Sequence, residues 1–409
     1  MAFVSIPWPD LFLILITALL ALGYGYVAAR VIPPLGLPLA FDVLLWAFVV
    51  LLVISPGAMF YLRFRRPGLR AYRPFAWFNY GWFGFLCVAA TLLVLRDIGW
   101  IAGQILAGLF LDRDLGALLA ELPVSFFPIH GLENTANAIV LGLAGGLCLL
   151  GFRAAHFGTR VVPVRIPVPE PAAGLAGLRI AQISDVHIGP MIRSGFVQSI
   201  VDRVNALEAD LVVITGDLVD GPAHELALHA RPLADLRATH GVYFVTGNHE
   251  FYSGARTWIR ELRGMGIEVL ENENRLIEKN GSRLLVAGVH DISGPAFGVD
   301  SDPEAAARTS ESTDFRILLA HQPRSVYAAA RAGFDLQLSG HTHGGQFFPG
   351  NLLVHFFQPF VRGLGRHENT MIYVNQGTGY WGPPLRLGAP SEITLLTLVS
   401  EDRPETVLR

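Results

Sequence analysis

The chain has 409 residues, room for two domains and a sizeable core, but only 16% are charged against 52% hydrophobic, well short of the ~25% charged share of soluble proteins. A formal net charge of −3 leaves none of the basic footprint that a nucleic-acid partner requires, so no nucleic acid is expected as a partner. Cys87 and Cys148 are the only cysteines and both sit in apolar segments, which excludes a disulfide framework and a cysteine zinc site.

The charge deficit lies before residue 155. Residues 11–29, 43–62, 75–95 and 135–152 are apolar stretches of the ~20 residues that a helix needs to cross a hydrocarbon core of about 30 Å. The first lacks a basic start and a clean small-residue cleavage site, and further spans follow it, so it reads as an uncleaved helix and not a signal peptide. Residues 98–111 are apolar but short, which predicts an interfacial or re-entrant segment. No intramembrane charge pair stands out as a transport pathway; Asp42, Asn134 and Asn137 read as capping or interfacial residues. Arg63, Arg65, Arg66, Arg70 and Arg73 follow the second span and Arg153, Arg160 and Arg165 follow the fourth, whereas only Arg30 lies between the first two. With four spans, the positive-inside rule puts the N-terminus and the soluble half in the cytoplasm of a multi-pass inner or cell membrane protein. The division expected is a transmembrane helical region over 1–160 and a soluble domain over 161–409.

In the soluble half, residues 161–169 alternate but are broken by proline, which predicts an edge strand. Short apolar runs at 178–184, 211–215, 242–246, 267–270, 283–289, 316–320, 336–339, 371–374 and 393–399 read as strands. Helical periodicity appears at 196–207, 226–236, 257–265 and 325–332. Apolar strands alternating with helices predict sheets buried on both faces. Helices thin out among the later strands, so one mixed sheet or two packed sheets fit better than a pure doubly wound one.

The polar residues with chemical potential fall just past strand ends. Asp185 and His187 follow the run at 178–184, Asp217 follows 211–215, Asn248 and His249 follow 242–246, His321 follows 316–320, and His341 and His343 follow 336–339. Ligands in open α/β sheets collect outside the carboxyl ends of strands. Imidazole, carboxylate and amide without thiolate suit divalent Mn, Fe or Zn. Gly216, Gly247 and Gly340 beside these residues let the backbone turn sharply and approach closely.

The blocks DVH, GD, GNHE, AHQP and GHTHGG, in this order over roughly residues 178–399, resemble the calcineurin-like metallophosphoesterase superfamily. Asn375–Gly379 with Pro384, Arg386, Pro390 and Glu392 is similar to its membrane-anchored bacterial branch. The resemblance implies a four-layer αββα sandwich of mixed sheets, an α+β/α/β fold, behind an all-α transmembrane region of about four helices. It also implies two divalent metal ions, with Mn favoured. Asp185, His187 and His343 would hold one, Asn248, His321 and His341 the other, and Asp217 would bridge them. His249 matches the family's non-ligand histidine beside the leaving group. The expected reaction is in-line attack by metal-bound hydroxide, without a phospho-enzyme. The branch includes enzymes that cleave the pyrophosphate of UDP-2,3-diacylglucosamine, which makes a lipid-linked phosphodiester or pyrophosphate the expected substrate. A soluble phosphoester is the alternative. A non-catalytic membrane sensor or scaffold is a second alternative, opposed by the presence of every ligand position.

Other residues carry weaker expectations. Glu250 is expected to orient a histidine, Asp220 to cap a loop, and His290 and Asp291 to reach the same rim as candidate substrate contacts. Phe356 and Phe357 belong to an apolar loop at 347–360. That loop is expected either to touch the bilayer or a substrate acyl chain, or to pack in the core.

Overall fold

The computed structural model describes residues 8–65, 72–110 and 130–401. The chain divides into two compact units, Met1–Leu150 and Gly151–Arg409.

The first unit is helical: α1 (Trp8–Val31), α2 (Leu39–Arg65), α3 (Tyr72–Phe110) and most of α4 (His130–Phe157). All four helices are long and apolar enough to cross a membrane. Leucines such as Leu19, Leu22 and Leu149 are largely exposed, as expected of helices that are apolar all round. Leu20, Tyr24, Leu52 and Leu86 form a small buried contact among α1–α3. One expectation needs correction. Residues 98–110 are not a separate re-entrant piece but the continuation of α3, whose 39 residues at about 1.5 Å each far exceed the ~30 Å core; residue 111 lies outside the described residues. The unit also holds a charge pair. Arg30 Nε lies 3.0 Å from Asp97 Oδ2, the Tyr26 hydroxyl donates to the same oxygen at 2.9 Å, and Asn137 donates to the Arg30 carbonyl at 2.8 Å. The partners come from α1, α3 and α4, so no single span reveals the pairing.

The second unit holds two six-stranded sheets. The first runs β1 (Arg160–Val168), β12 (Glu392–Ser400), β2 (Arg179–Ile183), β3 (Leu211–Ile214), β4 (Val242–Phe244) and β5 (Glu268–Val269). The second runs β10 (Gly363–His367), β11 (Thr370–Val374), β9 (Leu336–Ser339), β8 (Phe315–Leu319), β7 (Ser282–Gly288) and β6 (Glu273–Lys279). The strands β2 to β5 are parallel, as are β7, β8, β9 and β11, while β12, β6 and β10 pair antiparallel with β2, β7 and β11. The prolines of β1 sit on an edge strand, as expected. The edge strands β6 and β10 did not stand out in the sequence, because ENRLIEK and GLGRH carry charge and bury few side chains, Ile277 being the one buried residue of the two.

The period-2 alternation of side chains assigns the layers. Leu211 and Val213 of β3 join Leu284, Val286, Ile317 and Leu336 in the core between the sheets. Val212 and Ile214 face α5 (Ser194–Asn205), α6 (Ala223–Ala230) and α8 (Ala255–Gly264), where Val197, Val201 and Trp258 are buried; the short α7 (Asn248–Ser253) precedes α8 directly after β4. Leu285, Ala287 and Leu318 face α9 (Pro303–Ala306) and α10 (Val326–Arg331). The result is the four-layer αββα sandwich. Its strand order makes β2, β3 and β4 neighbours in one sheet and β8 and β9 neighbours in the other, with all their carboxyl ends on one edge.

Candidate active site

Each candidate ligand follows one of these strand ends, and the backbone there is unusual. Asp185, His187, Asp217, His341 and His343 have φ of 53°, 56°, 50°, 71° and 52°. Left-handed backbone is uncommon outside glycine, although Asp and His tolerate it better than most residues. Its concentration in one rim marks a place where the surrounding structure imposes the conformation. Two glycines permit the packing. A Cβ on Gly340 would overlap the Ser184 hydroxyl and Asp185 Oδ2, and one on Gly247 would overlap Asp217 Oδ1. The loops therefore close onto the carboxylates with no room for a methyl group.

The side chains converge in overlapping groups, Asp185/His187/His343, His187/Asp217/His249 and Asp217/His321/His341, within which the ligand atoms lie no more than 4.8 Å apart. His321 Nδ1 lies 2.7 Å from the Thr215 carbonyl, which can only accept, so this nitrogen carries the proton. His321 Nε2 then presents a lone pair toward Asp217 Oδ2 at 3.2 Å and His341 Nδ1 at 3.2 Å. His187 repeats the arrangement: Nδ1 donates to Asp220 Oδ1 at 2.8 Å and Nε2 faces His343 Nε2 at 3.0 Å. Asn248 Oδ1 is buried without a hydrogen-bond partner. Acceptors that face one another in a buried place call for a cation, and an N/O donor set of this kind fits divalent transition metals.

Electrostatics agree. Burial would raise the Asp217 carboxyl, but His321 and His249 outweigh it and hold the group well below the usual carboxylate range. Burial likewise disfavours a charged His321, yet Asp217 keeps that imidazole well above its ordinary value, so this pair favours positive charge between its facing atoms. Burial and the charge of His321 push His341 down to about 3. Burial and Arg386 hold His343 well below its ordinary value. Both are thus neutral, the state a metal ligand requires.

His249 Nδ1 lies 2.7 Å from Asp220 Oδ1, and its Nε2 points toward Asp217 Oδ2 at 3.9 Å. Burial works against its charged form, but Asp220 and Asp217 raise it to about 9. Asp220 is therefore more than a loop cap: one carboxylate oxygen holds both His187 and His249. Its position three residues after Asp217, in the loop that already supplies the central carboxylate, was the available signal. Glu250 does not orient a histidine. Its carboxylate accepts the backbone N–H groups of Gly247, Asp217, Leu218 and Val219, stitching the β4 loop to the β3 loop. Burial, then the charge of Asp217, raises it to about 7. Arg386 is fully buried and donates to the carbonyls of His343, Gln376 and Gly379 at 2.9, 2.7 and 3.1 Å, with Nη2 3.0 Å from His343 Nδ1.

The remaining candidates lie outside these groups. His290 and Asp291 follow β7 on the same sheet edge but are 6% and 1% exposed. His290 faces Thr246 and Glu271. Asp291 Oδ1 accepts from Gln322, beside His321, at 3.0 Å, and its Oδ2 is buried without a partner. Phe356 and Phe357 lie just beyond α11 (Gly350–Leu353) and are 83% and 67% exposed, so ordinary core packing does not describe them.

The model of the calcineurin-like phosphoesterase family matches residues 178–345. A transmembrane protein with metallophosphoesterase domain from Danio rerio is 35% identical over 407 residues, spanning 95% of this chain and 89% of that protein. Its counterpart from Bos taurus is 35% identical over 77% of this chain and 70% of that protein. An uncharacterised metallophosphoesterase of Helicobacter pylori is 40% identical over 55% of this chain and 61% of its own length. With its αββα fold, its histidine and aspartate groups and its apolar helices, this chain belongs to the calcineurin-like metallophosphoesterases and is a metal-dependent phosphoester hydrolase of their membrane-associated kind.

Proposed function

We propose that residues 161–409 form the catalytic domain of a dinuclear phosphodiesterase or pyrophosphatase, that residues 1–160 anchor it in the membrane, and that its substrate is lipid-linked. The observation that carries the site assignment is the convergence of buried acceptor atoms around Asp217, with Asp185, His187 and His343 on one side and His321 and His341 on the other; Asn248, whose Oδ1 is buried without a partner, is assigned to the second group. Divalent ions held there, Mn in preference to Fe or Zn, would activate the attacking water as Lewis acids and neutralise charge on the phosphoryl oxygens.

This chain's own residues supply the rest. Asp217 is the shared ligand. Asp220 fixes the tautomer of His187, so that Nε2 is free to ligate. It also anchors His249, whose Nε2 can stabilise a phosphoryl oxygen or hand a proton to the leaving group. Since water is the nucleophile, no phosphoryl-enzyme forms, and trapping one would contradict the scheme. Asp291 and His290, both buried, are assigned a place behind the substrate edge, where Asp291 accepts from Gln322 beside His321.

A cytoplasmic catalytic domain rests on a count of four spans and on the arginines that follow the second and fourth; the four long apolar helices support that count. The exposed Phe356 and Phe357 support a lipid-linked substrate such as UDP-2,3-diacylglucosamine, because adjacent exposed aromatic side chains favour an acyl chain or bilayer. The test is Mn²⁺-dependent turnover by the full-length protein of UDP-2,3-diacylglucosamine against a soluble aryl phosphodiester. Preference for the former supports the lipid reading, and efficient turnover of the latter alone replaces it with a soluble substrate.

A further inference from the structure

Beside His249 the surface is aromatic. Tyr252 and Trp381 place their rings 5.4 and 5.8 Å from the His249 ring, at steep angles of 63° and 77°. Phe297 continues the row, 6.0 Å from Tyr252. These residues are 62%, 54% and 47% exposed, yet two of them are held in place. The Trp381 N–H donates to Gln346 Oε1 and its carbonyl accepts from Gln346 Nε2, both at 2.9 Å. Phe297 stacks on the buried Phe251 at 5.3 Å. Gln346 lies in the same loop as His341 and His343, so one segment carries both metal-facing imidazoles and the support of the tryptophan.

Rigid, open aromatic faces beside a reactive centre are expensive to leave in water unless something covers them. Their covering partner follows from position. If His249 hands its proton to the leaving oxygen, as proposed above, what lies against Tyr252 and Trp381 is the group attached to that oxygen. We propose that the row Trp381, Tyr252 and Phe297 is the leaving-group subsite and that it takes a planar aromatic ring, a nucleobase or an aryl group. The inference rests on the phosphoester reading of the metal-facing residues. A planar group is favoured over an alkyl chain because the faces are separate and steeply inclined to the His249 ring, which suits stacking on individual rings and not a continuous greasy groove. The apolar surface at Phe356 and Phe357 is a different one, carried by a different loop.

The test compares inhibition of the full-length, Mn²⁺-loaded protein by inorganic phosphate, ribose 5-phosphate, adenosine 5′-monophosphate and octyl phosphate. In the parent, adenosine 5′-monophosphate should inhibit at roughly tenfold lower concentration than ribose 5-phosphate, since base–aromatic stacking contributes on that scale. Trp381→Ala should abolish that preference and Trp381→Phe should largely retain it, with inhibition by inorganic phosphate unmoved in both. Equal inhibition by the two sugar phosphates in the parent, or a preference that survives in Trp381→Ala with Tyr252→Ala, overturns the proposal. Octyl phosphate outdoing the nucleotide, and losing its advantage in Trp381→Ala, overturns it in favour of an alkyl subsite. Failure of inorganic phosphate itself to inhibit or bind strikes the phosphoester reading beneath it, which keeps the two failures distinct.

Discussion

Replacing Asp220 with alanine removes a carboxylate oxygen that holds His187 at 2.8 Å and His249 at 2.7 Å, so two separable losses are expected. Loss of the partner that orients a ligand histidine weakens metal binding or activity by about 10- to 100-fold. Loss of the anchor of an acid–base histidine forfeits much of a contribution of roughly 10²- to 10⁴-fold. At limiting Mn²⁺ the variant should therefore fall about 10³-fold in kcat/KM, and at saturating Mn²⁺ about 10²-fold, because excess metal restores only the first loss. The same change in a His249→Ala background should cost less than about threefold at saturating metal, since the group it serves is already gone. Metal affinity by competitive chelation and initial rates in the four proteins of this cycle measure both parts. Equal cost of Asp220→Ala in the two backgrounds, or unchanged metal affinity, would refute the double role.

Gly340→Ala and Gly247→Ala place a methyl against Asp185 and Asp217; both should lower bound metal per chain and cost about 1–3 kcal/mol in unfolding free energy, read by elemental analysis and thermal melts. Arg386→Met leaves the carbonyls of His343, Gln376 and Gly379 without their buried donor and should destabilise by roughly 3 kcal/mol or more. Arg386→Lys should not rescue it, because a single ammonium cannot span that fan of acceptors; a melt of Arg386→Lys equal to the parent's would contradict this. Phe356→Ser with Phe357→Ser, at 83% and 67% exposed positions, should leave the melting temperature in place while lowering turnover of a lipid-presented substrate, and undiminished turnover would remove the lipid role of this loop.

Much of the catalytic sheet edge was legible because strands buried on both faces advertise themselves as short apolar runs, and the residues that break each run are the ones the fold needs for chemistry. Asp185, Asp217, His321 and His341 could be placed at strand ends for that reason. What escaped depends on partners far away in sequence. Asp220 looked like any loop aspartate until His187 and His249 closed on it, and Glu250 binds backbone N–H groups that no side-chain pattern announces. Arg386 was legible only as part of a family pattern; its burial follows from carbonyls of His343, Gln376 and Gly379 that the sequence does not bring together. The strands β6 and β10 were masked by charged residues on exposed faces, and the Arg30–Asp97 pair by its origin on different helices. The aromatic row was missed for the same reason, since Tyr252, Phe297 and Trp381 are scattered along the chain and meet only around His249.

Metal stoichiometry coupled to hydrolysis in the parent and in Asp217→Ala tests the central claim most directly. Purified full-length protein saturated with Mn²⁺ should hold about two ions per chain, as a site with one bridging carboxylate does, and should hydrolyse a phosphodiester. Asp217→Ala should lose bound metal and activity together. Fewer than one ion per chain in the saturated parent, or an Asp217→Ala variant that hydrolyses at the parent rate, would contradict it.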